Sequence, residues 1–261
     1  MLTLIRIEWR KLKSFRAFWI LWGLFFLVYG GMIYTINGES FQVGPANTSA
    51  VSMGLMSFPK VYQLCSWLVR WMLIIPGILM VINLSNEYNY RMLRQSVING
   101  MGRWEFLGSK IFLVLFLSFS VALGVGIASL TTGFLNGGLE DDQSLTENMN
   151  LLVGVFLQAC FYLSLASLIT VMIKRSGIAI GVLFLYTFVL ENILLPRIND
   201  DWQTYVLPYE NALSLVQNPF ATFLPGLFSV PSMQWDHIGL TVLYTALCWW
   251  GIYGLISRKD L

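Results

Sequence analysis

The stretch "NEYNYRMLRQSVINGMGRWEFLGSK", residues 86–110, carries Arg91, Arg94, Arg103 and Lys110, with Glu87 and Glu105 among them. On both sides of it the chain is apolar enough to live in lipid. Working outward, six apolar segments lie at 15–36, 61–84, 106–135, 149–173, 177–195 and 236–256. Each approaches or exceeds the ~20 residues that a helix needs to cross the hydrocarbon core. Only 11% of the 261 residues are charged, against 56% hydrophobic, where a soluble domain carries about 25% charged. A chain so poor in charge cannot cover a soluble surface. Residues 1–261 therefore read as a single membrane domain. Its fold class is all-α, because a helix pairs its own backbone groups inside lipid.

Charge placement orients the bundle. With the N-terminus inside, inside segments hold 13 of the 16 Lys+Arg, from Arg6 through Arg258 and Lys259, while outside segments hold nine of the 14 acids. The excess of Lys and Arg on one side places both termini in the cytoplasm, in keeping with an even number of spans. Residues 1–13 precede the first span. There Leu2, Ile5, Trp9 and Leu12 share one helical stripe and Arg6, Arg10 and Lys13 another, with Leu4 and Ile7 breaking the pattern. That arrangement predicts a helix lying in the inner membrane interface. Between the fifth and sixth spans, Pro208, Pro219, Pro225 and Pro231 forbid one continuous helix. Short helices that re-enter the membrane or lie on its outer surface are the better reading there.

Residues 86–110 form the longest inside connection. Asn89 can cap a helix beginning at Tyr90. Asn99-Gly100 supplies a stop, with Gly100 free to take the left-handed conformation that ends helices. Arg91 and Arg94 then share a face, and Gly100-Met-Gly102 turns the chain back toward the third span. An ordinary basic loop would account for the arginines but not for the caps or the glycine exit.

This stretch, set between two spans, resembles the coupling-helix region of ABC type-2 transporter permeases, and "IEWRKLKSFRAFW" at 7–19 resembles their N-terminal interfacial helix. The resemblance implies a bacterial inner-membrane half-transporter: two permease chains, identical or different, paired with two ATP-binding subunits. The coupling helix would dock on the ATPase. By match to the family pattern, Glu87, Arg91, Arg94, Gly100 and Arg103 would carry that contact, with Glu8 and Lys11 in support. ATP and Mg would bind the partner, so this chain would need no cofactor of its own. The implied activity is outward export of an apolar or amphipathic substrate such as a drug, an antimicrobial peptide or a lipid. The alternative is a non-transporting membrane anchor or signalling subunit of such a complex.

The remaining motifs bear on other functions. A phosphate-binding loop needs Gly-x4-Gly-Lys-Ser/Thr. Gly102 to Lys110 has the wrong spacing and order. An intramembrane enzyme is disfavoured, because the single histidine, His237, cannot supply His-Glu-x-x-His and no Gly-x-Ser-x-Gly is present. Cys65, Cys160 and Cys248 sit in apolar runs as small core residues. A net charge of +2 points to no nucleic-acid partner. Two charges fall inside spans: Arg70 in the second and Glu191 in the fifth. A buried pair, a hydrated role in a substrate path and snorkelling to the interface are all open readings. Pro76-Gly77 can kink the second span, for packing or for gating.

Overall fold

The computed structural model describes residues 2–38, 40–43, 46–49, 54–89, 102–136, 148–195, 205–216, 218–220 and 235–257. The described chain opens with α1 (Leu2–Ser14) and α2 (Arg16–Gly38), followed by strands β1 (Ser40–Val43) and β2 (Ala46–Ser49). Next come α3 (Lys60–Met72), α4 (Ile74–Asn89), α5 (Arg103–Asn136) and α6 (Leu151–Ile173). After α7 (Ser176–Leu185), π-helical turns (Tyr186–Leu190) lead into α8 (Glu191–Leu194), and α9 (Pro208–Ser214) and α10 (Trp235–Ser257) follow.

The bundle is helical as expected, and the described residues add one short hairpin to it. β1 and β2 pair antiparallel, Ser40 opposite Ser49 and Val43 opposite Ala46, in the connection after α2. Phe41, Val43 and Thr48 are residue types that favour a pleated surface, and a two-residue link at Gly44-Pro45 lies between the strands in sequence.

Among the described residues four helices are long and apolar enough to cross a membrane: residues 16–37 of α2, 104–136 of α5, α6 and α10. The second span predicted at 61–84 is not one rod. It is the pair α3 and α4, bent by 42°, and with that pair counted as one span the total is five. The bend falls at Leu73, one turn before Pro76. Pro76 has no N–H to give the carbonyl of Met72, and its ring crowds that carbonyl. Hydrogen bonds from Leu73 N–H to Val69 O (3.1 Å) and from Gly77 N–H to Leu73 O (3.0 Å) carry the helix past the break. Gly77 serves close packing. A Cβ built there would lie 2.7 Å from Tyr162 Cε1 and 3.2 Å from Leu183 Cδ2, so glycine lets α4 approach α6 and α7. The predicted fifth span, 177–195, is interrupted by the π turns, and its apolar helix, Ser176–Leu190, is shorter than the four long ones.

Helix α6 is the hub, packed against α3, α4, α5, α7, α9 and α10. It carries no charge and is buried on nearly every side, as expected of a helix that is apolar all round. Its hydroxyls are silenced locally: Ser164, Ser167 and Thr170 donate to the carbonyls of Cys160, Leu163 and Ala166 at 2.7, 2.7 and 2.6 Å. Around it, Phe25 and Tyr29 of α2, Leu64 and Leu68 of α3 and Tyr162 of α6 share one core. On α5 most of the exposed large residues, among them Leu115, Phe119, Leu123, Ile127, Leu130 and Phe134, recur every three or four positions. That single apolar stripe is a surface suited to hydrocarbon.

Candidate functional site

Three elements meet where the 86–110 stretch leaves and rejoins the apolar helices. Helix α4 runs through Asn89, so the residue expected to cap a new helix lies instead in the last turn of α4. Helix α5 begins at Arg103 behind a cap built from Gly102 and Glu105. The Gly102 N–H donates to Glu105 Oε2 (3.1 Å), while the Gly102 carbonyl accepts from the N–H groups of Glu105 and Phe106. This is one half of a capping box: the Glu105 side chain satisfies the Gly102 N–H, and glycine has no side-chain oxygen to return the bond. Helix α1 lies beside both, its Leu12 buried with Leu79, Met80, Leu113 and Val114 and its Trp9 edge-on to Phe116 at 5.5 Å.

At this junction four ionic side chains close on one another. Lys110 Nζ of α5 donates to Glu87 Oε1 of α4 at 2.6 Å and to Glu8 Oε1 of α1 at 3.0 Å. Lys11 Nζ of α1 donates to Glu87 Oε1 at 3.2 Å and to Glu8 Oε1 at 3.3 Å. Glu8, Glu87 and Lys110 are buried, whereas the Lys11 side chain is 38% exposed. Burial pulls the Lys11 ammonium down, but the carboxylates of Glu87 and Glu8 outweigh it, so its pKa lies above the ordinary value. The two carboxylates and two ammonium groups cancel. A buried ionic group of this kind is weak evidence for net stability, yet removing one member strands the others. Its effect is geometric: α1, the end of α4 and the start of α5 are tied at one point.

Of the residues that the family pattern singles out, Glu8, Lys11 and Glu87 are thus brought together inside the chain. Arg91, Arg94 and Gly100 lie outside the described residues, and of Arg103 only the backbone, at the first position of α5, is described. Lys110 was not among the residues singled out. Its signal was present: it lies inside the apolar segment 106–135 and is the last charge before Glu140.

A second polar site lies at the opposite end of the bundle. Glu191, at the exit of the π turns, is buried. It accepts from the backbone N–H groups of Tyr209 (3.1 Å) and Glu210 (2.9 Å) and from the Tyr186 hydroxyl. A carboxylate from one helix thereby caps the N-terminus of another, α9, and satisfies two of its orphan donors. Arg70 and Glu191 both line a cavity of about 60 Å³ that also touches Thr187, Tyr209 and Glu210. The two do not form a direct ion pair. The Arg70 guanidinium lies 5.9 and 5.7 Å from the rings of Trp67 and Trp71. Helix α9 is also pinned to α10. Asn211 Nδ2 donates to Thr241 Oγ1 (2.9 Å) and His237 O (3.2 Å), leaving Asn211 Oδ1 to accept from His237 Nδ1–H at 2.9 Å. His237 is therefore buried and engaged in packing.

A family model described as "ABC-2 family transporter protein" matches residues 4–190. The chain belongs to the ABC-2 family. The matched region spans α1 through the π turns, so it includes the ionic junction and the 86–110 stretch, while α8, α9 and α10 lie beyond it. No curated protein and no solved structure matches the chain. As an ABC-2 permease with several membrane-crossing helices, it is a multi-pass membrane subunit of a transporter, and its family implies a partner ATPase.

Proposed function

We propose that this ABC-2 permease is an exporter subunit, driven by a separate ATP-binding chain that docks on residues 86–103 and moves an apolar or amphipathic substrate outward across the bacterial inner membrane. In this reading six segments cross the membrane, α3–α4 and α7–α8 each counting as one span. Both termini face the cytoplasm, and two permease chains work with two ATPases. Arg91, Arg94, Gly100 and Arg103 meet the partner. Glu8, Glu87, Lys11 and Lys110 fix the ends of the docking segment to the bundle, so that a push on the segment moves α1, α4 and α5 together.

The observation that most supports this reading is the buried junction itself, three helices tied by Lys110 within 3.0 Å of Glu8 and Glu87 at the mouth of the basic stretch. A lever needs a rigid attachment, and ionic contacts among buried groups tolerate little slippage. Co-purification with the ATPase is the test. Arg91→Glu/Arg94→Glu should abolish association while leaving thermal stability unchanged. Retained association would remove the docking claim.

A further inference from the structure

A cavity of about 540 Å³ opens between α1 and α4, beside the ionic junction, lined by Arg10, Lys11, Ser14, Phe15, Asn83, Asn86 and Glu87. Its chemistry is that of a donor-rich pocket with one net positive charge. The charge of Glu87 is matched inside the junction by Lys110 and Lys11. Lys11 has three N–H donors and spends two on carboxylates. Among the described residues Arg10 forms no ion pair, and its side chain is exposed. Ser14 adds a hydroxyl, Asn83 and Asn86 add carboxamides, and Phe15 contributes an aromatic wall.

The surroundings are amphiphilic in the same sense. Trp9 and Trp19 on the flanking helices are about half exposed, at 46% and 53%, as aromatic side chains are at a membrane–water interface. Basic pockets against membrane helices on the cytoplasmic side take anionic lipid head groups, whose phosphate oxygens accept from several donors at once. We infer that the α1–α4 cavity binds the head group of an anionic phospholipid from the cytoplasmic leaflet, with its phosphate held by Arg10, Lys11, Ser14 and the two asparagines. The inference rests on the cytoplasmic placement of α1 and goes beyond the docking of the ATPase. The lipid would wedge α1 against α4 on the outer side of the junction, giving the leaflet's composition a hold on the lever.

Native mass spectrometry of the detergent-purified full chain tests this, using phosphatidylglycerol, phosphatidylcholine and diacylglycerol of identical acyl chains, and free glycerol phosphate. One phosphatidylglycerol should be retained in preference to phosphatidylcholine and diacylglycerol. Arg10→Ala/Asn83→Ala should cut that retention roughly fivefold or more, the scale of one juxtamembrane cation. Lys13→Ala, which removes a cation of the same helix outside the cavity, should leave it unchanged. Asn83→Asp, nearly isosteric and repulsive to phosphate, should match the double variant if the latter folds poorly. Equal loss in Lys13→Ala would reduce the effect to diffuse surface charge and overturn the site. Diacylglycerol or phosphatidylcholine retained as tightly as phosphatidylglycerol, or free glycerol phosphate bound equally well, would overturn the anionic-lipid assignment. Normal ATPase co-purification by Asn83→Asp separates a failure here from a failure of the docking reading.

Discussion

Replacing Lys110 with methionine removes the buried cation of the junction, which touches both buried carboxylates at 2.6 and 3.0 Å. Methionine fills most of the same volume, so the change is almost purely electrostatic. Lys110 is 3% exposed at its side chain, and Glu8 and Glu87 are 6% and 4% exposed. Each carboxylate already has one buried oxygen, Oε2, with no hydrogen-bond partner. Stranding such charges costs about 3–5 kcal/mol. At about 2–4 °C per kcal/mol for a chain of this size, the melting temperature should fall by roughly 6–20 °C. Lys11→Met removes contacts to the same two oxygens, but from a side chain 38% exposed and at 3.2–3.3 Å. Water and flexibility screen that pair, so the loss should be ~0–1 kcal/mol. Unfolding can be followed with a thiol-reactive fluorogenic dye, since Cys65, Cys160 and Cys248 are all buried. Adding Glu8→Gln and Glu87→Gln to Lys110→Met should recover much of the loss, because no charge is then stranded. If Lys11→Met costs as much as Lys110→Met, or the triple variant is no better than the single one, the junction is not the buried electrostatic clamp described here.

Gly77→Ala places a methyl 2.7 Å from the Tyr162 ring; overpacking of about 1–3 kcal/mol should appear as a lower melting temperature in the same dye assay. Glu191→Leu leaves the N–H groups of Tyr209 and Glu210 uncapped; a loss of about 1–3 kcal/mol should come with increased labelling of a cysteine introduced at Ser214. Because Glu191 is spent on α9 and makes no ion pair with Arg70, the swap Arg70→Glu/Glu191→Arg should be no more stable than the worse single variant; recovery would show that the two side chains pair directly.

Much of the helical plan could be read from the apolar runs. The starts and ends of α2, α5, α6 and α10 fall within about three residues of the predicted spans, because charge and helix-breaking residues mark where lipid-compatible sequence stops. The break at Leu73 could be anticipated from Pro76, though not its angle, which depends on how α3 and α4 pack against α6. The hairpin at 40–49 was missed because two four-residue strands are too short to give a periodic signal. Partner choice among charged residues was legible least. Glu8 and Glu87 are 79 positions apart in the chain, and the family pattern assigned both to the ATPase contact; only the packing of α1 beside α4 and α5 turns them inward onto Lys110. Likewise Arg70 and Glu191 seemed natural partners by depth, yet the capping demand of α9 claims the carboxylate first. Backbone N–H groups at a helix start are donors that sequence patterns do not display.

The central claim, that residues 86–103 receive the ATPase, is tested most directly by site-specific crosslinking. In a chain carrying Cys65→Ala, Cys160→Ala and Cys248→Ala, a photocrosslinker attached through Arg94→Cys is compared with one attached through Asp142→Cys in the acidic segment predicted to lie outside. With the assembled transporter in proteoliposomes, the account predicts a permease–ATPase adduct from position 94 and none from position 142. An intact complex that yields no adduct at position 94, or yields one equally from position 142, would contradict it.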